Sequence, residues 1–248
     1  NLKLKPSGQA YYRGILSRRL APEFDSRELS SITRADIKGA VARWATEKSG
    51  VRSIPNGLRT LRTIFAWAIE EGLVQVNPCT DPSKIFKVDA PFSGDFLRPD
   101  EVVPYLDAVH DRFPRFHAFF RLLIFSGIRL GECIAIEWQD VDYNGRFIEV
   151  RHSSWRGIVT SPKSGVSRRV NLSGSMMDSL RDHRRMMSAE ALKAGRPLSA
   201  RVFVNEAGQP VDESKIRKAH FAALKRAGLR HLRVHSLRKT YGSLMVSA

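Results

Sequence analysis

Residues 125–132 read FSGIRLGE, and they place Arg129 directly after a strongly apolar stretch, residues 116–125, whose spacing predicts a helix. Burying a guanidinium is costly unless an anion accompanies it. Two anions meet this requirement. Glu132 lies within one helical turn of Arg129 and forms a simple ion pair in the first interpretation. In the second, Glu132 orients Arg129 towards the phosphate of a substrate.

Two further stretches carry basic groups whose spacing suits phosphate chemistry. Residues 160–170, TSPKSGVSRRV, are predicted to form a hairpin with a Ser-Gly turn after Lys163. A lysine at such a turn is either solvated or able to protonate a leaving oxygen. His235 and Arg238 share one face of a predicted helix, from which both can contact one phosphate. Together with Arg129, these groups form a cage suited to the charge that develops in phosphoryl transfer.

The bulk composition indicates a nucleic-acid partner. The chain of 248 residues has 41 Lys and Arg against 25 Asp and Glu, a formal charge of +16, and a polyanion relieves the resulting self-repulsion. Cys79 and Cys133 are too few for a disulfide framework and fit a reducing cytoplasm. No signal peptide and no run of about 18 apolar residues is present, so we expect no membrane association. No acidic cluster offers a metal site, and we expect no cofactor.

The first part of the chain reads as helical. Apolar periodicity predicts helices over residues 9–19, 35–48 and 53–71. Thr33 is the predicted N-cap of the second helix. On the third, Arg59 and Arg62 lie one turn apart and face either a phosphate backbone or solvent. Residues 78–99 are rich in Pro, Asp, Ser and Gly without any period, which indicates a linker.

The second part mixes helices and short strands. Helices are predicted over residues 98–110, over 116–125 and again from about Ser175. Short strands of one small antiparallel sheet are predicted at residues 147–150, 157–160 and 169–172. We therefore predict a mainly α fold with a small antiparallel β-sheet in the second domain (α+β). The predicted boundaries are a helical first domain over 1–80, a linker over 81–97 and a second domain over 98–248.

The order of these motifs resembles one known family. Arg129 is followed by IEWQDVD at residues 136–142, then by Lys163 with RRV at 168–170, and then by HSLRKT at 235–240. This arrangement looks like the catalytic domain of the tyrosine recombinases, the phage integrase family. The helical region before it resembles the family's core-binding domain. The resemblance implies a two-domain clamp on double-stranded DNA and a site-specific recombinase, such as the integrase of a prophage or genomic island.

The resemblance also assigns roles. Arg129 and Arg238 bind the scissile phosphate and stabilise its transition state, and His235 assists proton transfer. Lys163 is the general acid for the departing 5′ hydroxyl, and Glu132 supports Arg129. A tyrosine attacks the phosphate to form a 3′-phosphotyrosyl linkage that conserves the bond energy, so neither ATP nor a metal ion is required. The DNA-binding residues are expected to be Arg59, Arg62, Arg168 and Arg169.

We expect the nucleophile to lie outside this sequence. The family's tyrosine, and its second His or Trp, follow the His-x-x-Arg helix, and this chain ends at Ala248. Tyr241 occupies a position where the family has an aromatic core residue. The sequence is therefore expected to be a truncated piece that cannot cleave DNA alone. The full-length protein is expected to act as a homotetramer on two DNA sites.

Other functions fit parts of the sequence. A non-catalytic DNA-binding protein could share the fold. Arg129→Ala abolishes strand cleavage and spares binding in a recombinase, whereas the non-catalytic protein has no cleavage activity. A type IB topoisomerase shares the chemistry but relaxes supercoils without site preference. A basic RNA-binding module fits the charge and leaves the Arg, Lys and His-x-x-Arg set unexplained.

Overall fold

The structure is a computed structural model that describes residues 4–47, 51–87, 95–162 and 165–246, with Arg52 described by its backbone alone. The chain divides into two compact units, Asn1–Ser93 and Gly94–Ala248. Among the described residues, no helix combines the length and the apolarity needed to cross a membrane.

The first unit is a small helical bundle. Its helices are α1 (Pro6–Ile15), α2 (Ala21–Phe24), α3 (Arg34–Thr46), α4 (Ile54–Glu70) and α5 (Pro82–Ile85). Thr33 caps α3 as predicted, since its hydroxyl accepts from the backbone N–H of Asp36 while the Asp36 carboxylate accepts from the backbone N–H of Thr33 at 2.8 Å. The predicted helix over 9–19 begins earlier, at Pro6, and becomes π-helical over Leu16–Leu20. Within that turn Arg19 is nearly buried and donates to Glu47 at 2.8 Å.

Part of the segment predicted as a linker packs on the first unit. Within residues 81–97, Ile85 and Phe86 lie against the apolar core of this unit. Pro82 at the first position of α5 fixes the φ angle that starts this short helix. Residues 88–94 lie outside the described residues.

The second unit combines helices with short strands. Its helices are α6 (Pro99–Arg112), α7 (Pro114–Ser126), α8 (Leu130–Ala135), α9 (Gly174–Lys193), α10 (Glu213–Arg226) and α11 (Val234–Val246). Its strands are β1 (Val141–Asp142), β2 (Phe147–Val150), β3 (Ser153–Trp155), β4 (Ile158–Thr160) and β5 (Arg168–Asn171). The prediction of a mainly α fold with small antiparallel β-structure is confirmed.

The pairing of the strands differs from the prediction. Of the described strands, β1, β2 and β5 form one antiparallel sheet, while β3 and β4 form a separate hairpin. The predicted hairpin over residues 160–170 is therefore wrong, because β4 pairs with β3 and β5 pairs with β2. The cause is a tight turn at Arg156 and Gly157, whose φ angles are 49° and 80°. Two consecutive positive φ angles match the right-handed twist of a two-residue hairpin and pair Trp155 with Ile158.

The core of the second unit encloses two histidines. His220 on α10 is fully buried, and its Nε2–H donates to the carbonyl of Leu232 at 2.9 Å. Its Nδ1 must then accept, and the hydroxyl of Tyr105 on α6 donates to it at 2.8 Å. The Nε2–H of His183 donates to the carbonyl of Val202 at 2.9 Å. Burial lowers the pKa of His183 and of His220 from 6.5 to about 4, so both are neutral at pH 7.

These histidines make the stability of the second unit depend on pH. Between pH 6.5 and about 4, His183 and His220 become protonated in the unfolded chain but stay neutral in the folded protein. The contribution of these residues to the free energy of unfolding is therefore greatest above pH 6.5 and decreases towards pH 4. We expect a loss on the order of a few kcal/mol in urea denaturation across this range. Tyr105→Phe should cost about 1–3 kcal/mol at pH 7.5, because the buried Nδ1 of His220 loses its donor. A flat profile between pH 6.5 and 4 would contradict the burial of these rings.

Candidate active site

Arg129 occupies the N-cap position of a short helix. Helix α7 ends at Gly127 in the left-handed conformation, with a φ of 60°, and the chain reaches Arg129 as the N-cap of α8. The backbone N–H of Arg129 donates to Oε2 of Glu132, and its Nη1 donates to Oε1, both at 2.9 Å. The Arg129 side chain keeps 40% of its surface exposed. Glu132 therefore holds Arg129 in place while part of the guanidinium side chain stays accessible to solvent.

The carboxylate of Glu132 is shared between two arginines. Its side chain has no exposed surface. Besides Arg129 it binds Arg168 on β5, which donates from Nη1 to Oε1 at 3.0 Å and from Nη2 to Oε2 at 2.6 Å. Burial alone would raise the pKa of Glu132, but the hydrogen bonds from Arg168 and Arg129 outweigh it and lower the pKa to about 2. Glu132 is thus ionised at pH 7 inside the unit.

Sequence reasoning paired Glu132 with Arg129 and missed Arg168, which was predicted to contact DNA. The two residues are 36 positions apart, and only the β2–β5 pairing brings them together. Alternation along β5 was the available signal. Arg168 lies opposite buried Val150, whereas Arg169 faces away.

Arg238 joins the same region from α11. Its Nη1 donates to the carbonyl of Gly127. The ring of Tyr241, one turn further along α11, packs so closely on Gly127 that a Cβ there has no room. Gly127 is therefore required both by its positive φ and by the approach of α11. Burial, then the charge of Arg129, lowers the pKa of Arg238, while Glu132 acts in the opposite direction.

His235 is exposed on the first turn of α11, on the same side as Arg238. Partial desolvation lowers its pKa, and the positive charges of Arg238, Lys239 and Arg129 lower it further. The imidazole is therefore mostly neutral at pH 7, and it lies close enough to Arg129 for that charge to affect its pKa. The structure brings together Arg129, Glu132, His235 and Arg238 from two separate sequence motifs, and adds Arg168.

The charge of this cluster decides what it can bind. The guanidinium groups of Arg129 and Arg168 bind one carboxylate and that of Arg238 lies near enough to sense these charges, which leaves a net charge of +2. An arginine cannot lose its proton in a protein, so the excess charge favours the binding of an external anion. A phosphate diester offers one negative charge and two non-bridging oxygens to the exposed donors.

Other residues of the prediction lie elsewhere. Lys163 lies outside the described residues. Arg169 points to the other face of β5, with its guanidinium 4.5 Å from the centre of the Phe147 ring. In the first unit, exposed Arg59 and Arg62 line one surface depression of about 430 Å³ between α4 and α5. In the described part of the chain, no group of three His, Cys, Asp or Glu side chains could hold a metal ion.

Comparisons with known proteins place this geometry in a family. The family model described as the phage integrase family matches residues 95–248. A tyrosine recombinase XerC-like protein of Caldanaerobacter subterraneus subsp. tengcongensis is 27% identical over 208 residues, which cover 74% of this chain and 52% of the relative. A putative prophage phiRv2 integrase of Mycobacterium tuberculosis is 27% identical over 254 residues, which cover 98% of this chain and 64% of the relative. The chain thus spans between about half and two thirds of these two relatives.

Solved structures share the fold. The Tn1549 transposon integrase in complex with a circular intermediate DNA superposes with a TM-score of 0.84 at 15% identity, covering 100% of this chain and 83% of that one. A lambda integrase dimer bound to a core site gives a TM-score of 0.76 at 17% identity, covering 97% and 83%. The family model spans most of the chain and includes every residue of the arginine cluster. The chain therefore belongs to the phage integrase family of tyrosine recombinases.

Proposed function

We propose that this protein is a site-specific DNA recombinase that integrates and excises a mobile element such as a prophage or genomic island. The observation that carries the proposal is the cluster of Arg129, Arg168 and Arg238 around the buried carboxylate of Glu132, with neutral His235 beside it. The net charge of +2 suits one scissile phosphate and the further charge that develops on it. The prophage integrase among the relatives supports the choice of substrate.

The proposed reaction is a transesterification. A tyrosine oxygen attacks phosphorus, a 3′-phosphotyrosyl bond forms and the bond to the 5′ oxygen breaks. Arg129 and Arg238 hold the non-bridging oxygens, His235 assists proton transfer, and Lys163 gives its proton to the departing 5′ oxygen. We assign the nucleophile to neither Tyr105, which is buried against His220, nor Tyr241, whose ring packs on Gly127. The phosphotyrosyl bond conserves the energy for rejoining, so the reaction needs no cofactor.

DNA binding is assigned to both parts of the chain. We propose that residues 1–80 hold duplex DNA through phosphate contacts from Arg59 and Arg62, and that residues 98–248 carry catalysis. Arg169 is proposed as a further DNA contact. The formal charge of +16 and the DNA complexes among the structural neighbours support this assignment. The whole protein is proposed to act in the cytoplasm on nucleoid DNA, as a homotetramer on two sites.

The first prediction concerns Arg129. The whole protein is incubated with sheared genomic DNA of its source organism, covalent protein–DNA adducts are recovered and their DNA is sequenced. We expect one enriched site, and Arg129→Ala should reduce adduct formation on that site by about 10²–10³-fold while DNA binding persists. Arg185→Ala, an exposed arginine paired with Asp182, removes the same charge and should have little effect.

Two outcomes of this experiment would contradict the proposal. Adduct formation by Arg129→Ala at the wild-type rate would remove the role assigned to that residue. Adducts spread evenly over the genome would favour a type IB topoisomerase instead.

The second prediction concerns Lys163. If it is the general acid, Lys163→Ala should slow cleavage of an ordinary phosphodiester by roughly 10²–10⁴-fold. A substrate with sulfur in place of the bridging 5′ oxygen should restore the rate, because a thiolate leaves without a proton. Arg129→Ala is the control, since a better leaving group does not replace a phosphate ligand. Equal defects of Lys163→Ala on both substrates would exclude this role.

The third prediction concerns Arg59 and Arg62. The slope of log K against log salt is negative for binding to a mixed-sequence duplex. The Arg59→Ala, Arg62→Ala double variant should reduce the magnitude of this slope by about 2, since each lost phosphate contact reduces it by about 0.9. The matched control is Arg27→Ala with Arg43→Ala, because both arginines are ion-paired with carboxylates of the same unit. Equal slopes for the two double variants, measured by fluorescence anisotropy, would refute a specific phosphate contact.

A further inference from the structure

Arg168 is the arginine whose role the proposed reaction leaves unexplained. Both of its terminal nitrogens are engaged by the oxygens of Glu132, at 3.0 and 2.6 Å. Arg129 gives that carboxylate one side-chain N–H and its backbone N–H. A carboxylate accepts about four hydrogen bonds, so the four donors from these two arginines saturate it.

The charges show what Arg168 contributes. Without Arg168, Arg129 and Glu132 would form a neutral pair, and the buried carboxylate would draw the remaining N–H groups of Arg129 towards itself. With Arg168 in place, the negative charge of Glu132 is balanced from the β5 side. Arg129 then keeps its positive charge and 40% of its side-chain surface for another anion.

The geometry points to Arg168 as a positioning residue: it neutralises Glu132 so that Arg129 presents its full charge to the scissile phosphate. This inference rests on the proposed function, and it revises the expectation that Arg168 contacts DNA directly. Both terminal nitrogens of Arg168 are bound to Glu132, whereas neighbouring Arg169 is exposed on the opposite face of the sheet.

The alternative roles make different predictions for a second substitution. If Arg168 serves to neutralise Glu132, removing the negative charge of Glu132 makes Arg168 dispensable. If Arg168 binds DNA itself, the loss of Glu132 cannot compensate for the loss of Arg168. Glu132→Gln removes the charge and keeps the shape, so the two substitutions form a double-mutant cycle.

The test measures single-turnover cleavage of the site recovered from genomic DNA, with the whole protein. We expect Arg168→Ala to lower the cleavage rate by about 10–100-fold, the range typical of residues that support a charged ligand. The Glu132→Gln, Arg168→Ala double variant should lie within about threefold of Glu132→Gln alone. This comparison also holds where Arg168→Ala does not fold, because the double variant contains no unpaired buried carboxylate. Arg185→Ala, which releases the exposed carboxylate of Asp182, is the matched control and should retain its rate.

The pH dependence supplies a readout that a purely structural role would not move. Loss of Arg168 removes a hydrogen bond that lowers the pKa of Glu132, so Glu132 becomes protonated at a higher pH in Arg168→Ala. A protonated Glu132 no longer neutralises Arg129. The ratio of variant to wild-type rate should therefore rise several-fold between about pH 8 and about pH 5.5.

A double variant far slower than Glu132→Gln, while Arg129→Ala is inactive, would overturn this inference and leave the proposed function standing. Full cleavage by Arg129→Ala would overturn the proposed function itself. A double variant matching Glu132→Gln, with the rising rate ratio, would support the positioning role.

Discussion

The buried carboxylate of Glu132 is the interaction on which the second unit depends. An isolated carboxylate without contact to water would take up a proton, but four N–H donors from Arg129 and Arg168 keep Glu132 charged. These donors come from the N-cap of α8 and from β5. One anion therefore fixes the position of a helix, a strand and two guanidinium groups relative to each other.

Gly127 is a second residue at which the helices of the site contact each other. Its carbonyl binds Arg238 and its Cα lies against Tyr241, so α11 rests on the point where α7 ends. Other contacts hold α11 and the chain that leads to it. Buried Thr240 accepts from the backbone N–H of Leu97 at 2.9 Å, and His220 binds the carbonyl of Leu232 two residues before α11 begins. The side chains of His235 and Arg238 consequently project from a helix anchored at both its start and its middle.

The sequence allowed the local parts of this architecture to be predicted. Helix spacing was enough to pair His235 with Arg238, and Thr33 was correctly identified as a cap, because both depend on residues within one turn. The pairing of Arg168 with Glu132 could not be predicted, since it depends on which strand β5 joins. That choice followed from the turn at Arg156 and Gly157, where a non-glycine residue adopts a positive φ, which is uncommon. Lys163, by contrast, is assigned by motif alone.

The site also explains why its basic groups are arginines. The positive charges of Arg129 and Arg168 both lower the pKa of Arg238, and burial lowers it most. The ordinary pKa of a lysine is about 2 below that of an arginine, so a lysine in this position would lose its proton more readily. Guanidinium groups stay charged under this mutual repulsion, and their planar forks let Arg168 bind both oxygens of Glu132 at once. An anion that enters the site relieves the repulsion that remains, so the same charge excess that costs stability in the free protein favours the binding of an anion such as phosphate.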